Sequence, residues 1–330
     1  MEIFLAILFL LIGIVLIVFG GNFFVGASIN IAKKTKIPEI IIGATIVSLA
    51  TTMPEFIVSV LSAAKGFDGL AIGNSVGTVV CNTALIGGIG LCLTRQNYDK
   101  KESFSKFYIL LFLTILLLIL SLNKSLGIIE GVGLVVLGIA FLGLNFFDAK
   151  KQASYAEKNM IEQKPKEAQP LKADMPWWKI ALFFILGAAG IAFGAYLLVQ
   201  YGSKLARLAG ISETIVGILI LGVGTSLPEL VTTIISVKKK SSGLGIGNIV
   251  GANILNLTLI LGVSALACPG GGLTIDMQTL CISIPISILV SALFVLPIIC
   301  RKKTFKWQGV FLLIVYLLYV IILLIGPKFG

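Results

Sequence analysis

Long apolar runs alternate with short polar or basic breaks along the whole chain. A hydrocarbon core of about 30 Å needs roughly 20 mostly apolar residues in helical form. Ten stretches meet that need, near residues 3–22, 40–63, 71–92, 106–122, 128–147, 178–201, 213–236, 244–266, 279–299 and 308–325. The pattern predicts an all-α integral membrane protein with ten transmembrane helices.

Two of the runs carry a residue that does not belong in hydrocarbon. Glu55 and Glu229 each follow a proline in the middle of an apolar span. An ionised side chain at that depth costs at least about 2.5 to 3.5 kcal/mol on the insertion scale, so a functional cavity is the first reading. A structural ion pair would be the alternative, but neither motif span contains Lys or Arg to serve as partner.

The segments around the two glutamates are copies of one pattern. Gly43-Ala-Thr-Ile-Val-Ser-Leu-Ala-Thr-Thr-Met-Pro-Glu55 aligns with Gly217-Ile-Leu-Ile-Leu-Gly-Val-Gly-Thr-Ser-Leu-Pro-Glu229. Gly73-Asn-Ser-Val-Gly-Thr-Val-Val-Cys-Asn82 aligns with Gly247-Asn-Ile-Val-Gly-Ala-Asn-Ile-Leu-Asn256, and Phe19-Gly20 with Phe193-Gly194. Every pair is 174 residues apart, a displacement that crosses five predicted spans. Five is odd, so the second copy enters the membrane the other way up. The chain therefore reads as two inverted-topology five-helix repeats, 1–147 and 178–330, with sites expected where they meet near the midplane. Between them, 148–177 is rich in Lys, Glu, Gln, Ala and Pro, the composition of a solvated or partly helical connector.

Composition supports the membrane reading independently. Hydrophobic residues make up 57% of the chain and charged residues 12%, with a mean hydropathy of +1.05, which leaves too little polar surface for a soluble globule of this length. Lys and Arg collect on the cytoplasmic side of membrane proteins. With the N-terminus outside, the inner loops hold Lys33, Lys34 and Lys36, the cluster from Arg95 to Lys106, the linker lysines, Lys238 to Lys240, and Arg301 to Lys306. Only five of the 26 basic residues then lie outside, so both termini are expected to be extracellular in the cell membrane. Topology and anionic lipid account for the net charge of +11, and nucleic-acid binding is not needed. The first span has Glu2 ahead of it and its lysines after it, unlike a secretory signal, and is read as an uncleaved helix. Five cysteines without a C-x-x-C spacing support neither a disulfide framework nor zinc; Cys81 alone stands next to a candidate residue, Asn82.

The motif itself suggests how a cation could be held. Pro54 cannot donate to the carbonyl of Ala50, nor Pro228 to that of Gly224, and carbonyls freed at membrane depth need other partners. Thr51 and Thr52 share a helical face with Glu55, and Thr225 and Ser226 share one with Glu229. Asn74, Thr78 and Asn82 form a stripe at four-residue spacing, matched by Asn248, Ala252 and Asn256. These are hard oxygen ligands of the kind calcium takes in sets of six to eight. Gly73 with Gly77, and Gly247 with Gly251, offer small-residue faces for close helix approach. Each feature alone has a bland explanation in a tolerated kink, in packing, or in hydroxyls bonding their own helix. Duplicated acidic residues without basic partners are what those explanations leave unaccounted for.

At these residues the chain resembles the sodium/calcium exchanger family, through Gly224-Thr-Ser-Leu-Pro-Glu229, its variant Ala50-Thr-Thr-Met-Pro-Glu55, and the two Gly-Asn-x-x-Gly segments. The resemblance implies counter-transport of sodium and calcium by alternating access, without covalent chemistry or a cofactor. By motif position it implies Glu55 and Glu229 as central calcium ligands shared with sodium, with Thr51 and Thr225 beside them. Thr52, Ser226, Thr78, Asn82 and Asn256, with backbone carbonyls near Ser48 and Gly222, would complete the sodium positions. A monomer in the lipid bilayer is expected.

Two positions depart from the pattern of many relatives, which have Asp where this chain has Asn256 and Ser where it has Ala252. The site then has two formal negative charges. One calcium balances them, and three sodium ions, the stoichiometry the resemblance suggests, leave one positive charge, so exchange would be electrogenic. Asn256 also argues against potassium cotransport. A proton/calcium antiporter is the runner-up, although Gly77 and Gly251 stand where proton-coupled relatives usually carry Glu. An intramembrane enzyme with a carboxylate pair, or a passive cation channel, would be readings of another class; duplicated neutral oxygens around each Glu fit coordination better than proton transfer.

Overall fold

The computed structural model describes residues 2–94, 104–162, 175–208 and 222–325. In chain order its helices are α1 (Glu2–Thr35), α2 (Glu39–Thr51), α3 (Met53–Ala64), α4 (Asp68–Leu93), α5 (Phe104–Leu120), α6 (Ile128–Glu162) and α7 (Trp177–Leu208). After a short turn of helix at Gly222–Gly224 come α8 (Leu227–Lys238), α9 (Ser242–Ala267), α10 (Thr279–Arg301) and α11 (Lys306–Ile325). Among the described residues seven helices are long and apolar enough to cross a membrane, and the bent pair α2–α3 makes an eighth. The apolar α5 is shorter, at 17 residues. The first part of the expected span 213–236 lies outside the described residues.

The protein is thus a multi-pass all-α membrane protein, and its helices run past the apolar stretches. α1 continues to Thr35, well beyond residue 22, because its polar residues bond the helix they sit on. Asn22 Nδ2 donates to the Val18 carbonyl, Ser28 Oγ to Phe24 and Asn30 Nδ2 to Gly26, at 2.8 to 3.0 Å. A polar side chain satisfied four residues back does not end a helix.

Two helices form the buried centre. α4 and α9 have most of their spans inside the protein, whereas α1, α6, α7 and α11 turn most of theirs outward. α9 lies against α2 at van der Waals limits. A Cβ added to Gly247 would sit 2.9 Å from Ile40 Cα, and one on Gly251 2.6 Å from both Ala44 Cα and Ser48 Oγ. Gly247 and Gly251 are therefore the close-approach face expected of them. Their counterparts Gly73 and Gly77 meet nothing within 4 Å.

α1 and α7 run antiparallel as an outer layer. Phe9 stacks on Tyr201 and Phe23 on Phe183, while Gly13, Gly20, Gly187 and Gly194 bring the two backbones together. Lys239, at the end of α8, reaches this layer and donates to the Asn22 carbonyl at 2.7 Å. Partial burial holds its ammonium below the usual lysine range.

Element boundaries recur at the 174-residue offset. α3 and α8 match residue for residue at both ends, and α4 and α9 each contain a π-helical segment, at Cys81–Ile86 and Asn256–Ile260. At one end of the bundle two loops pair as a short antiparallel ribbon, Ser125–Gly127 with Gly272–Thr274. Asp68 Oδ2 accepts the Thr274 amide there at 3.0 Å.

Candidate cation-binding site

Both glutamates stand at a break. The axis turns by 49° between α2 and α3, where Thr52 has φ −84° and ψ 1°. Ser226, before α8, has φ −86° and ψ 6°. Pro54 and Pro228 then fall in the first turn of the next helix, where a missing N–H costs nothing.

The spacings Thr52-x-x-Glu55 and Ser226-x-x-Glu229 are those of a capping box, which would spend the side-chain oxygens on backbone amides. Neither cap makes that bond. Thr52 Oγ1 turns back to the Ser48 carbonyl at 2.7 Å. Both carboxylates are fully buried, and among the described residues none of their four oxygens has a hydrogen-bond partner. The helix N-termini favour negative charge there but do not replace water. Buried acceptors in this condition call for a cation or a proton.

Around the pair the structure gathers other oxygens. Glu55 and Glu229 lie close enough to interact electrostatically, and the Thr51 hydroxyl lies beside Glu229. Thr51 Oγ1 donates to Asn248 Oδ1 at 3.0 Å, tying α2 to α9. Asn82, Asn256 and Ser226 are fully buried, and Asn82 Oδ1, Asn256 Oδ1, Ser226 Oγ and Thr225 Oγ1 have no partner among the described residues. Asn256 is oriented by its Nδ2, which donates to the Ala252 carbonyl at 2.9 Å. Thr78 is buried on α4 one turn before Asn82. The Ser48 carbonyl already accepts from the Thr52 amide and from the Thr52 hydroxyl. Gly222 opens the helical turn that leads into the second break.

Four contributors escaped the sequence reading. Asn253 Nδ2 donates to Thr83 Oγ1 at 2.7 Å, joining α9 to the π-helical segment that carries Asn82. Ser59 binds Asn74 Nδ2 at 2.9 Å and approaches the Ser75 hydroxyl at 3.2 Å, one turn beyond Glu55. Only polarity inside an apolar run could have flagged them. Cys81, buried next to Asn82, does reach the cluster and lies close enough to both glutamates to interact with them electrostatically.

The family model described as sodium/calcium exchanger protein matches residues 5–147 and 179–325. The chain belongs to the sodium/calcium exchanger family. It is 30% identical to the sodium/calcium exchanger MaX1 of Methanosarcina acetivorans, over 96% of this chain and 97% of that one. An uncharacterised membrane protein of Methanocaldococcus jannaschii is 27% identical over 96% and 98% of the two chains. Among solved structures, the sodium-calcium exchanger NCX_Mj superimposes with a TM-score of 0.82 at 25% identity, covering 97% of this chain and 99% of its own. Members of this family are transporters, not enzymes.

Proposed function

We propose that the protein is a secondary antiporter that exchanges sodium for calcium across the cell membrane by alternating access. Ten helices would form two inverted five-helix repeats, 1–147 and 178–330, joined by a cytoplasmic linker at 148–177, with both termini outside. The observation that carries this reading is the pair of fully buried carboxylates whose oxygens have no partner among the described residues, in duplicated frames of neutral oxygens. Calcium would bind between Glu55 and Glu229 with Thr51 and Thr225. Sodium would share them and use Thr52, Ser226, Thr78, Asn82, Asn256 and the carbonyls of Ser48 and Gly222. The names of its relatives, exchangers of sodium and calcium, support the choice of ions.

Reconstitution in liposomes tests this. Calcium uptake should follow an outward sodium gradient and respond to membrane voltage. Uptake indifferent to sodium but driven by a proton gradient would replace this reading by a proton/calcium antiporter. Uptake that needs no counter-ion gradient would make the protein a channel.

A further inference from the structure

Where α1 ends and α7 begins, the two helices leave a groove of about 550 Å³ that ion exchange does not use, lined by Asn30, Pro176, Trp178, Lys179, Leu182 and Phe183. Trp178 and Lys179 of the lining, with Trp177 next to them in the chain and Lys34 beside its ring, make its surroundings basic and aromatic. Lys179 Nζ lies 5.4 Å from the Trp178 ring centre, and Lys34 Nζ, one turn beyond Asn30, lies 5.3 Å from that of Trp177. Both indoles are more than half exposed. Neither lysine forms an ion pair among the described residues.

Next to the charged residues the lining includes the apolar Leu182 and Phe183. Phe183 stacks on Phe23 at 5.1 Å, and the exposed Leu182 and Leu186, four residues apart, continue an apolar strip along one face of α7. Eight helical residues separate Trp178 from Leu186, about 12 Å along the axis. Two cations and a pair of indoles beside an apolar strip of that length match an amphiphile with an anionic head and an acyl chain. Free phosphate would leave the strip uncovered, and a zwitterionic head would not use both lysines.

We propose that this groove holds an anionic phospholipid, with its phosphate between Lys34 and Lys179 and one acyl chain along Leu182, Phe183 and Phe23. The chain has three tryptophans, Trp177, Trp178 and Trp307, so a Trp307→Phe background leaves only the pair at the groove as fluorophores. The protein is placed in phosphatidylcholine bilayers containing a minor fraction of either acyl-brominated phosphatidylglycerol or acyl-brominated phosphatidylcholine. Phosphatidylglycerol should be enriched at the pair on the order of tenfold over phosphatidylcholine, read as stronger quenching. The preference should shrink in high salt and disappear in Lys34→Gln/Lys179→Gln. Equal quenching by the two lipids overturns the proposal, as does a preference that survives both salt and the double substitution. Abolition of the preference by inorganic phosphate would also overturn it, by showing a simple anion site. The salt series needs no variant at the lysines and stands if the double substitution fails to fold.

Discussion

The proposed charge of the site predicts which half of the exchange cycle feels the membrane potential. Glu55 and Glu229 are the buried acidic residues of the cluster, and its amides Asn82, Asn248 and Asn256 are neutral. With one calcium bound the site has no net charge, so calcium-for-calcium exchange, which uses only the calcium-loaded form, should be indifferent to voltage. Asn256→Asp adds one negative charge. At a pH that ionises the added carboxyl, the calcium-loaded form then carries −1 across the field. One charge crossing the full potential is worth about 2.3 kcal/mol per 100 mV, at most roughly a 50-fold change in the balance between its two orientations. The assay is calcium exchange between equal calcium concentrations in sodium-free proteoliposomes, with voltage set by a potassium gradient and ionophore. Clear voltage dependence in the native protein would refute the two-carboxylate count. A voltage-independent Asn256→Asp protein at high pH would show that this position lies outside the translocated charge.

Further expectations follow from the same geometry. Glu55→Gln or Glu229→Gln should nearly abolish sodium-driven calcium uptake while membrane insertion persists; full exchange by both variants would sink the proposed site. Gly251→Ala puts a carbon 2.6 Å from Ala44 Cα, about 1 Å inside normal contact, and should cost about 1–3 kcal/mol in thermal unfolding and displace Ser48. Gly77→Ala, whose Cβ meets nothing within 4 Å, should leave the melting temperature close to native, so equal losses in the two variants would contradict the packing argument. Lys240→Gly relieves a left-handed residue with φ 58° and should raise stability by about 1 kcal/mol; a lower melting temperature would show that the lysine side chain matters more than its backbone.

Local signals in the sequence were enough to point to the parts of the candidate site that sit on one helix. The prolines located the breaks, and the acidic residues inside apolar runs located the buried pair, because both violate rules that hold over a few residues. Pairings between distant segments left no such trace. Asn253 with Thr83, and Thr51 with Asn248, bridge 170 and 197 residues of chain, and nothing in their spacing announces it. The length of α1 was hidden for the opposite reason, since Asn22, Ser28 and Asn30 look like breaks until their side chains are seen bonding their own helix. The matching small-residue motifs also packed differently, so equal sequence at Gly73 and Gly247 did not mean equal neighbours.

Where the two copies would agree and where they would diverge follows from the proposed inversion of one half relative to the other. Inversion would return the midplane to itself, so a residue serving the proposed ion site there would meet the same environment in both halves. Pro-Glu and Gly-Asn-x-x-Gly accordingly stand in both. Inversion exchanges the two surfaces, and residues near them meet opposite charge rules. Gly66 and Lys240 are counterparts at the ends of α3 and α8, and both adopt a left-handed backbone, with φ of 78° and 58°. Backbone preference alone would choose glycine twice, by about 1–2 kcal/mol over any side chain. In the proposed orientation Gly66 is outside and Lys240 inside, and Lys36 and Lys302 accept the same strain on the same inner side. Lys124 accepts it on the outer side, where its carbonyl receives the Ile275 amide at 2.9 Å next to the β ribbon, so local pairing governs there. In that proposed orientation the requirement for positive charge at the inner surface outweighs a local conformational cost, and glycine is kept at the position where that requirement is absent.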